Sequence, residues 1–454
     1  MTNDTSAPIA DDRPGLKRAI GTPLLFAFIV GDTLGAGIYT LVGTMANDVG
    51  GVIWLPLLIA LVVALLTAGT YAELITKYPH AGGAARYVDK AFGIPFLSFL
   101  VGFLMMASGI TTAAALANAF AGDYFAALFD IPPIPVAIAF IAVLTIINLR
   151  GVRESLATNF VASIIEVSGL VIVIFVAAMV FAGGGGEPAR IFEFAPDVPP
   201  LQGAFAASIV AFFSFLGFEA AANMAEEVKN PSKSYPRALF GAIITAAVVY
   251  LLIAIGAVIV VPPAELAEST GPLLDVVTAS GVAIPPWLFS LIALVAIANG
   301  ALLFMVMASR VGYGLAESGL LPHAFGRVLS KRRTPWVSIL VVAGATMLLT
   351  VLGDIGTLAE TTVLLLLLVF LSANISVLVL KKDKVEHKHF SVPRVVPVLA
   401  IIASIVLLTQ QTGAVWLGTA GYIAVGTILF FIARAGRRRS DRKTAERDVA
   451  DRTA

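Results

Sequence analysis

Four carboxylic acids stand within or beside long apolar segments of the sequence: Asp32, Glu73, Glu166 and Glu219. A charged side chain inside a membrane costs several kcal/mol, so an acid at such a position is a candidate for function. The chemistry open to it is the loading and release of a proton or the binding of a cation. Glu73 is the exception, because Lys77 follows four residues later and an ion pair between them is expected.

Other reactive groups are scarce in these apolar segments. The four histidines fall in polar segments, and the chain has no cysteine. These segments therefore lack the histidine and cysteine side chains that a metal site or a Ser–His nucleophile would need. Thiolate and disulfide chemistry are excluded. No phosphate-binding loop of the form G-x-x-x-x-G-K-[ST] is present, so the chain is not expected to hydrolyse ATP. We predict no metal, no cofactor and no enzymatic activity.

Two of the acids stand beside glycines that can interrupt a helix. Asp32 belongs to the run Gly31-Asp32-Thr33-Leu34-Gly35-Ala36-Gly37, and Glu219 to the run Ser214-Phe215-Leu216-Gly217-Phe218-Glu219. At a break within a membrane, the freed N–H groups can bind a carboxylate and the freed carbonyls an ammonium group. Close helix packing through small residues is the alternative explanation for the glycines.

The elements that must position these residues are apolar helices. Only 13% of the residues are charged and the mean hydropathy is +0.93, whereas an ordinary soluble protein is about 25% charged. A membrane core needs roughly 20 apolar residues per helix. Twelve such stretches are present, at about 22–46, 52–76, 93–122, 134–149, 155–182, 201–225, 237–261, 286–309, 335–352, 357–380, 395–411 and 414–433.

The basic residues predict the orientation of these spans. With the N-terminus inside, 29 of the 30 Lys and Arg residues fall in inside segments, and only Arg190 lies outside. This bias supports twelve spans with both termini cytoplasmic. A polar head (1–18) precedes the twelve-helix membrane domain (19–433), and a basic tail (434–454) follows it; we expect both ends to be disordered. The compact loops suggest a bacterial inner membrane, and the net charge of +1 argues against a nucleic-acid partner.

The two glycine-interrupted spans are the first and the sixth. Their separation by five helices matches an inverted repeat of five plus five helices, with the binding site near the membrane midplane. The repeats would cover about 22–182 and 201–380, and two further helices would cover about 395–433. The predicted fold class is an all-α integral membrane protein with twelve transmembrane helices.

Six strings of residues, in order along the chain, then identify a family resemblance. They are 31–39 in helix 1, 71–83 at the end of helix 2 and in its inner loop, 215–219 in helix 6, 226–236 in the loop after it, 309–322 at the end of helix 8, and 356–358 at the start of helix 10. Together they resemble the amino acid–polyamine–organocation superfamily of permeases. The string Gly31-x-Thr33-Leu34-Gly35-Ala36-Gly37-Ile38-Tyr39 is very similar to that of its cationic amino acid transporter branch.

The resemblance implies the leucine-transporter-type fold with broken helices 1 and 6. It also implies a substrate site between the two breaks. The substrate carboxylate would bind the amides of Gly35, Ala36 and Gly37. The substrate amino group would bind carbonyls matching Thr33, Phe213 and Leu216, next to Gly217. An aromatic gate is expected among Phe213, Phe215 and Phe218, with simple packing as the alternative.

The acids acquire roles through the same resemblance. Glu219 matches an acid that the family uses in pH response or substrate recognition. Asp32 replaces a small polar residue, and either faces the site or hydrogen-bonds a neighbouring helix. Glu166 differs most from the family pattern, because several proton-coupled members of the family carry a lysine at this position. This carboxyl group would load a proton, pair with a cation between helices 1, 5 and 8, or form a protonated structural contact.

These observations predict a secondary amino acid transporter that works by alternating access. Helices 1, 2, 6 and 7 would move against the rest. Proton coupling and a cationic amino acid are preferred. Sodium coupling, exchange, a neutral amino acid, a polyamine, or a sensor that binds without transport are the alternatives. The expected partners are the amino acid, protons or sodium, and membrane lipid; the oligomeric state is open.

Overall fold

The computed structural model describes residues 20–79, 83–151, 156–196, 198–225, 227–330 and 332–453 of the chain. The predicted head, 1–18, lies outside the described residues. The described backbone is almost entirely helical, and its β-structure is limited to one parallel bridge between Ile20 and Val228. This confirms the all-α fold class.

The first half of the chain forms eight α-helices. Proline stands in the first turn of α5 and of α7, where its missing N–H costs no hydrogen bond. The helices are α1 (Thr22–Thr33), α2 (Ala36–Val49), α3 (Trp54–Lys77), α4 (Gly83–Phe92), α5 (Pro95–Ala121), α6 (Asp123–Ala126), α7 (Pro133–Arg150) and α8 (Leu156–Ala182).

The second half forms nine more α-helices. They are α9 (Pro200–Ser214), α10 (Pro231–Val260), α11 (Pro263–Glu268), α12 (Pro272–Ala279), α13 (Pro286–Glu317), α14 (Trp336–Leu352), α15 (Ile355–Leu380), α16 (Val395–Thr409) and α17 (Gly413–Thr453). Short 3-10 helices cover Pro188–Phe192, Phe218–Met224 and His323–Gly326.

Within the described residues, nine helical stretches are long and apolar enough to cross a membrane. Three shorter apolar helices, α9, α14 and α16, stand where the sequence places spans 6, 9 and 11. The count of twelve spans and the five-plus-five repeat stay predictions. Two bounds differ clearly from the prediction, because α10 begins at Pro231 and α13 continues to Glu317.

The C-terminal helix also differs from the prediction. The tail beyond 433 was expected to be disordered, but α17 continues as a helix to Thr453. The tail, residues 434–454, contains seven Arg and four Ala, and both residue types are strong helix formers. The polarity of the tail therefore does not predict where the helix ends.

The helix α5 forms the centre of the fold, where it packs against α13, α14 and α15. It brings small residues to the contact, and a Cβ atom at Gly109 would lie 3.0 Å from the Phe304 carbonyl oxygen. This close approach fixes α13 beside the site described below. Large apolar side chains such as Val171, Phe175 and Met179 of α8 are instead exposed, as expected for a surface that faces lipid.

The acid Glu73 has a different partner from the one predicted. Its Oε2 lies 2.5 Å from Lys381 Nζ, in the segment between α15 and α16, and accepts a hydrogen bond from the Val392 amide at 2.9 Å. Lys77 Nζ donates to the Leu380 carbonyl instead. The expected pair with Lys77 is therefore wrong, although the role of Glu73 in an ion pair is confirmed.

Candidate functional site

The first helix break lies between α1 and α2. The helix α1 ends at Thr33, the Leu34 amide donates to the Val30 carbonyl at 2.7 Å, and α2 begins at Ala36 after an extended Gly35. The first amides of α2 have no partner within their own helix. The break therefore presents N–H groups with partial positive charge, as the sequence predicts.

The second break follows α9, which ends at Ser214. The Leu216 amide donates a hydrogen bond to the Phe213 carbonyl at 3.1 Å, and a 3-10 helix begins at Phe218. Between them, Gly217 has φ = +114°, a backbone conformation that residues other than glycine rarely adopt. Glu219 Oε2 accepts a hydrogen bond from the Gly217 amide at 2.9 Å, so this acid stabilises the break itself.

The two breaks lie in direct contact. A Cβ atom at Gly217 would lie 2.9 Å from the Asp32 carbonyl oxygen, and one at Gly37 would lie 3.0 Å from Ser214 Cα. Only residues without a side chain allow the two backbones to approach this closely. The glycine positions that predict the interruptions therefore also determine how the interrupted helices meet.

A small cavity lies where the two breaks meet. Six of the seven predicted substrate-binding residues line it, and only Gly217 does not. The six are Thr33, Gly35, Ala36, Gly37, Phe213 and Leu216. The structure thus brings the breaks of helices 1 and 6 to one common cavity.

Two of the predicted acids, Asp32 and Glu166, also line this cavity. A Cβ atom at position 35 would lie 3.4 Å from Glu166 Oε1, so this carboxyl group lies beside the first break. Asn299 of α13 hydrogen-bonds the same carboxyl group. The other oxygen of this carboxyl group, Glu166 Oε2, is buried and has no hydrogen-bond partner in the described part of the chain. Among the described lining residues there is no Lys, Arg or His.

Comparison with known proteins gives this arrangement a family. A family model described as amino acid permease matches residues 20–434. The chain belongs to the amino acid permease family. This match confirms the predicted membership of the amino acid–polyamine–organocation superfamily. It also supports the prediction of a multi-pass membrane protein.

Individual relatives of this permease differ in their named substrates. It is 28% identical to the methylthioribose transporter of Bacillus subtilis, over 89% of this chain and 90% of that protein. It is 30% identical to the vacuolar cationic amino acid transporter 4 of Arabidopsis thaliana, over 82% of this chain and 65% of the relative. The branched-chain amino acid permease of Bacillus subtilis is 24% identical, over 92% of this chain and 93% of that permease.

Three predicted residues of the permease lie away from the cavity wall. Phe215 packs edge-on against Tyr250, with ring centroids 5.4 Å apart, and Phe218 stacks on Phe370 at 5.6 Å. Glu219 is bonded to the second break, as described above. Phe213 is the one candidate gate that lines the cavity. Packing therefore explains the other two rings.

Three polar residues at the permease site were not predicted. Ser214 and Asn299 line the cavity, and the Tyr250 hydroxyl lies within hydrogen-bond reach of the carbonyls of Thr33 and Ser214. Asn299 had a sequence signal, because it is a polar residue within an apolar span. Tyr250 had none, because a tyrosine in an apolar segment is ordinarily part of the packing.

A wider cavity of the permease lies next to the upper turns of α2, where Thr40 and Thr44 line it. The loops around it belong to the side that the basic residues predict to be outside. Its described lining includes no Lys, Arg or His, but it includes four acids: Asp123, Asp130, Glu268 and Asp354. A cavity lined by one sign of charge concentrates ions of the opposite sign.

Proposed function

We propose that this permease is a secondary transporter that carries an amino acid across the cell membrane by alternating access. The observation that carries the proposal is the cavity at the junction of the two breaks, which brings backbone amide groups and carboxyl groups together. An amino acid presents the complementary groups, a carboxylate and an ammonium, at a fixed spacing. The substrate site is therefore proposed at this cavity.

The substrate carboxylate is assigned to the start of α2. The amides of Gly35, Ala36 and Gly37 stand at a helix N-terminus, where backbone N–H groups and the helix dipole both favour an anion. The described lining contains no cationic side chain. The backbone is thus the group available to bind the carboxylate.

The substrate ammonium is assigned to the carbonyl ends of α1 and α9. The carbonyls of Thr33, Phe213 and Leu216 belong to residues that line the cavity. The Phe213 carbonyl already accepts from the Leu216 amide, but a carbonyl oxygen has a second lone pair. An ammonium group has three donors and can bind several such oxygens at once.

A cationic amino acid is the preferred substrate, and protons are the preferred coupling ion. Both preferences follow from Asp32 and Glu166, which place two carboxyl groups and no basic side chain around the cavity. Two ionised carboxyl groups close together repel each other, and this repulsion costs free energy. A second positive charge on the substrate, or a proton on one of the acids, offsets this cost. Glu219 is a more distant candidate for the coupling group, through the second break.

Uptake into liposomes tests this function. Purified permease would be reconstituted, and labelled L-arginine, L-lysine, L-leucine and putrescine would be supplied under an imposed proton or sodium gradient. We expect arginine or lysine to accumulate under the proton gradient. Accumulation of leucine alone would contradict the cationic preference, and accumulation only with sodium would contradict proton coupling. Binding of an amino acid without uptake would instead indicate a sensor.

Three variants separate the roles of the acids. Glu166→Gln and Glu219→Gln remove one titrating group each with little change in shape, and Glu265→Gln, at an exposed position of α11, is the matched control. We expect Glu166→Gln to lose gradient-driven accumulation while it retains exchange of internal for external substrate. If both Glu166→Gln and Glu219→Gln accumulate substrate like Glu265→Gln at every pH, these acids do not carry the proton.

A further inference from the structure

The Tyr250 hydroxyl lies between the two broken helices. Tyr250 belongs to α10 and is fully buried, and its hydroxyl is within hydrogen-bond reach of the Thr33 carbonyl and, at 2.9 Å, of the Ser214 carbonyl. Thr33 is the last residue of α1 and Ser214 the last of α9. One side chain therefore contacts the C-terminal ends of both half-helices, next to the proposed ammonium position.

This arrangement leaves one hydrogen-bond donor for two acceptors. A tyrosine hydroxyl has a single hydrogen, so it donates to one of the two carbonyls at a time. In the described part of the chain, neither carbonyl accepts a backbone hydrogen bond across its break. Both carbonyls also stand at the negative end of a helix dipole. The empty site thus has an excess of acceptors at this point.

The side chains of the same two residues also have unused hydrogen-bonding capacity. Thr33 Oγ1 and Ser214 Oγ are buried, each residue being 2% exposed, and neither atom has a hydrogen-bond partner in the described part of the chain. Both residues line the cavity. Buried polar atoms are rarely left without partners, so the two carbonyls and the two hydroxyls together can bind a polar group that forms several hydrogen bonds.

We propose that the Tyr250 hydroxyl is a substitute donor, which partly satisfies the Thr33 and Ser214 carbonyls until the α-ammonium group of the substrate replaces it. This inference rests on the proposed function, because it assumes that an amino acid occupies the cavity. Tyr250 then weakens binding of the ammonium group, because the substrate must compete with an existing hydrogen bond. Such competition favours release, which a transporter needs as much as binding.

The proposal predicts the sign of a binding change. In Tyr250→Phe the two carbonyls have no donor in the empty site, so the ammonium group gains the whole of their hydrogen-bonding energy. We expect the dissociation constant of L-arginine to fall roughly tenfold, the equivalent of about one hydrogen bond. A residue that only supports the fold would give a weaker or an unchanged affinity.

The matched control is Tyr235→Phe. Tyr235 is also a buried tyrosine of α10, and its hydroxyl donates to the single carbonyl of Ala221 at 2.7 Å. The variant loses one buried hydrogen bond from the same helix, but the carbonyl it leaves does not line the cavity. We expect its affinity for L-arginine to stay within about twofold of the wild type.

Calorimetry on the purified permease would compare L-arginine with 5-guanidinopentanoate, which has the same carboxylate and guanidinium but no α-ammonium group. L-leucine and 4-methylpentanoate form a second pair. Tyr250→Phe should tighten binding of the amino acids and leave the two amine-free acids unchanged. Equal changes for both members of a pair, or weaker binding of the amino acid, would overturn the proposal.

Two further results keep the test decisive. If Tyr250→Phe does not give a monodisperse protein, 3-fluorotyrosine can be placed at position 250, where its more acidic hydroxyl is a stronger donor of nearly the same size. Arginine affinity should then decrease, and an increase would contradict the proposal. If the wild type binds neither arginine nor leucine, the proposed function itself fails. Binding by the wild type with no effect of either change refutes only the role of Tyr250.

Discussion

Replacing Lys381 by methionine should destabilise the permease, because it leaves the Glu73 carboxylate buried without its cation. Glu73 is 1% exposed and its Oε2 lies 2.5 Å from Lys381 Nζ, which is also largely buried at 11% side-chain exposure. Removing one partner of a buried ion pair costs about 3–5 kcal/mol. The Val392 amide still donates to Glu73 at 2.9 Å, so we expect about 3 kcal/mol, at the lower end of that range.

The free energy of unfolding can be measured by SDS titration in detergent micelles, followed by tryptophan fluorescence. Lys382→Met is the matched control, because Lys382 is the exposed neighbour and should change stability by less than about 0.5 kcal/mol. The double variant Glu73→Gln/Lys381→Met removes both charges together. It should lose less stability than Lys381→Met alone, because no unpaired buried charge remains.

Two results would refute this reasoning. Equal stability of Lys381→Met and Lys382→Met would show that the pair contributes no stability. A double variant that loses as much as the sum of its two single changes would show that Glu73 and Lys381 act independently, and that the short distance between their charged atoms has no energetic consequence.

Three further predictions concern other parts of the fold. Asp354 caps α15 by accepting from the Thr357 amide at 2.9 Å, so Asp354→Ala should lose about 0.5–2 kcal/mol in the same titration while Asp354→Asn loses less. Burial raises the pKa of Asp354, but the hydrogen bonds from Thr357 outweigh this effect and the net pKa is lowered. The cap therefore stabilises the fold above about pH 4, and this contribution is lost as the pH falls through the lowered pKa. The thermal unfolding temperatures of wild type and Asp354→Ala should therefore converge at low pH. Gly217→Ala should abolish uptake, because φ is +114° and the new Cβ would lie 2.9 Å from the Asp32 carbonyl oxygen; Gly421→Ala, with open space around it, should transport normally, and normal uptake by both would contradict this role of Gly217.

Much of the site was predictable, because breaks in membrane helices depend on local residue types. Glycines at 35, 37 and 217 mark the places where the backbone leaves the helix, and the structure interrupts both helices there. A break in a membrane must line a cavity or bind something. The five-helix separation and the family resemblance, in turn, predicted that the two interruptions would share one site. Asp32 and Glu166 followed from the same argument, since acids in apolar segments need a polar or enclosed surrounding.

The residues that were missed have partners far away in the sequence. Tyr250 is 217 positions from Thr33, and Lys381 is 308 positions from Glu73. The periodicity and spacing of residues describe neighbours on one helix, so they suggested Lys77 as the partner of Glu73. They contain no information on which helix packs against which, and for that reason the role of a buried tyrosine could not be distinguished from packing.

The sequence by itself determined that this chain forms apolar helices, where two of them are interrupted, and which acids are candidates for function. Each of these properties depends on the chemistry of one segment and on the high cost of polar groups in lipid. The tertiary structure alone decided which carbonyls share the Tyr250 hydroxyl, which cation pairs with Glu73, and that Glu219 bonds the second break instead of lining the cavity. Those contacts depend on distances of a few ångströms between separate helices, and packing of the whole chain is what fixes such distances.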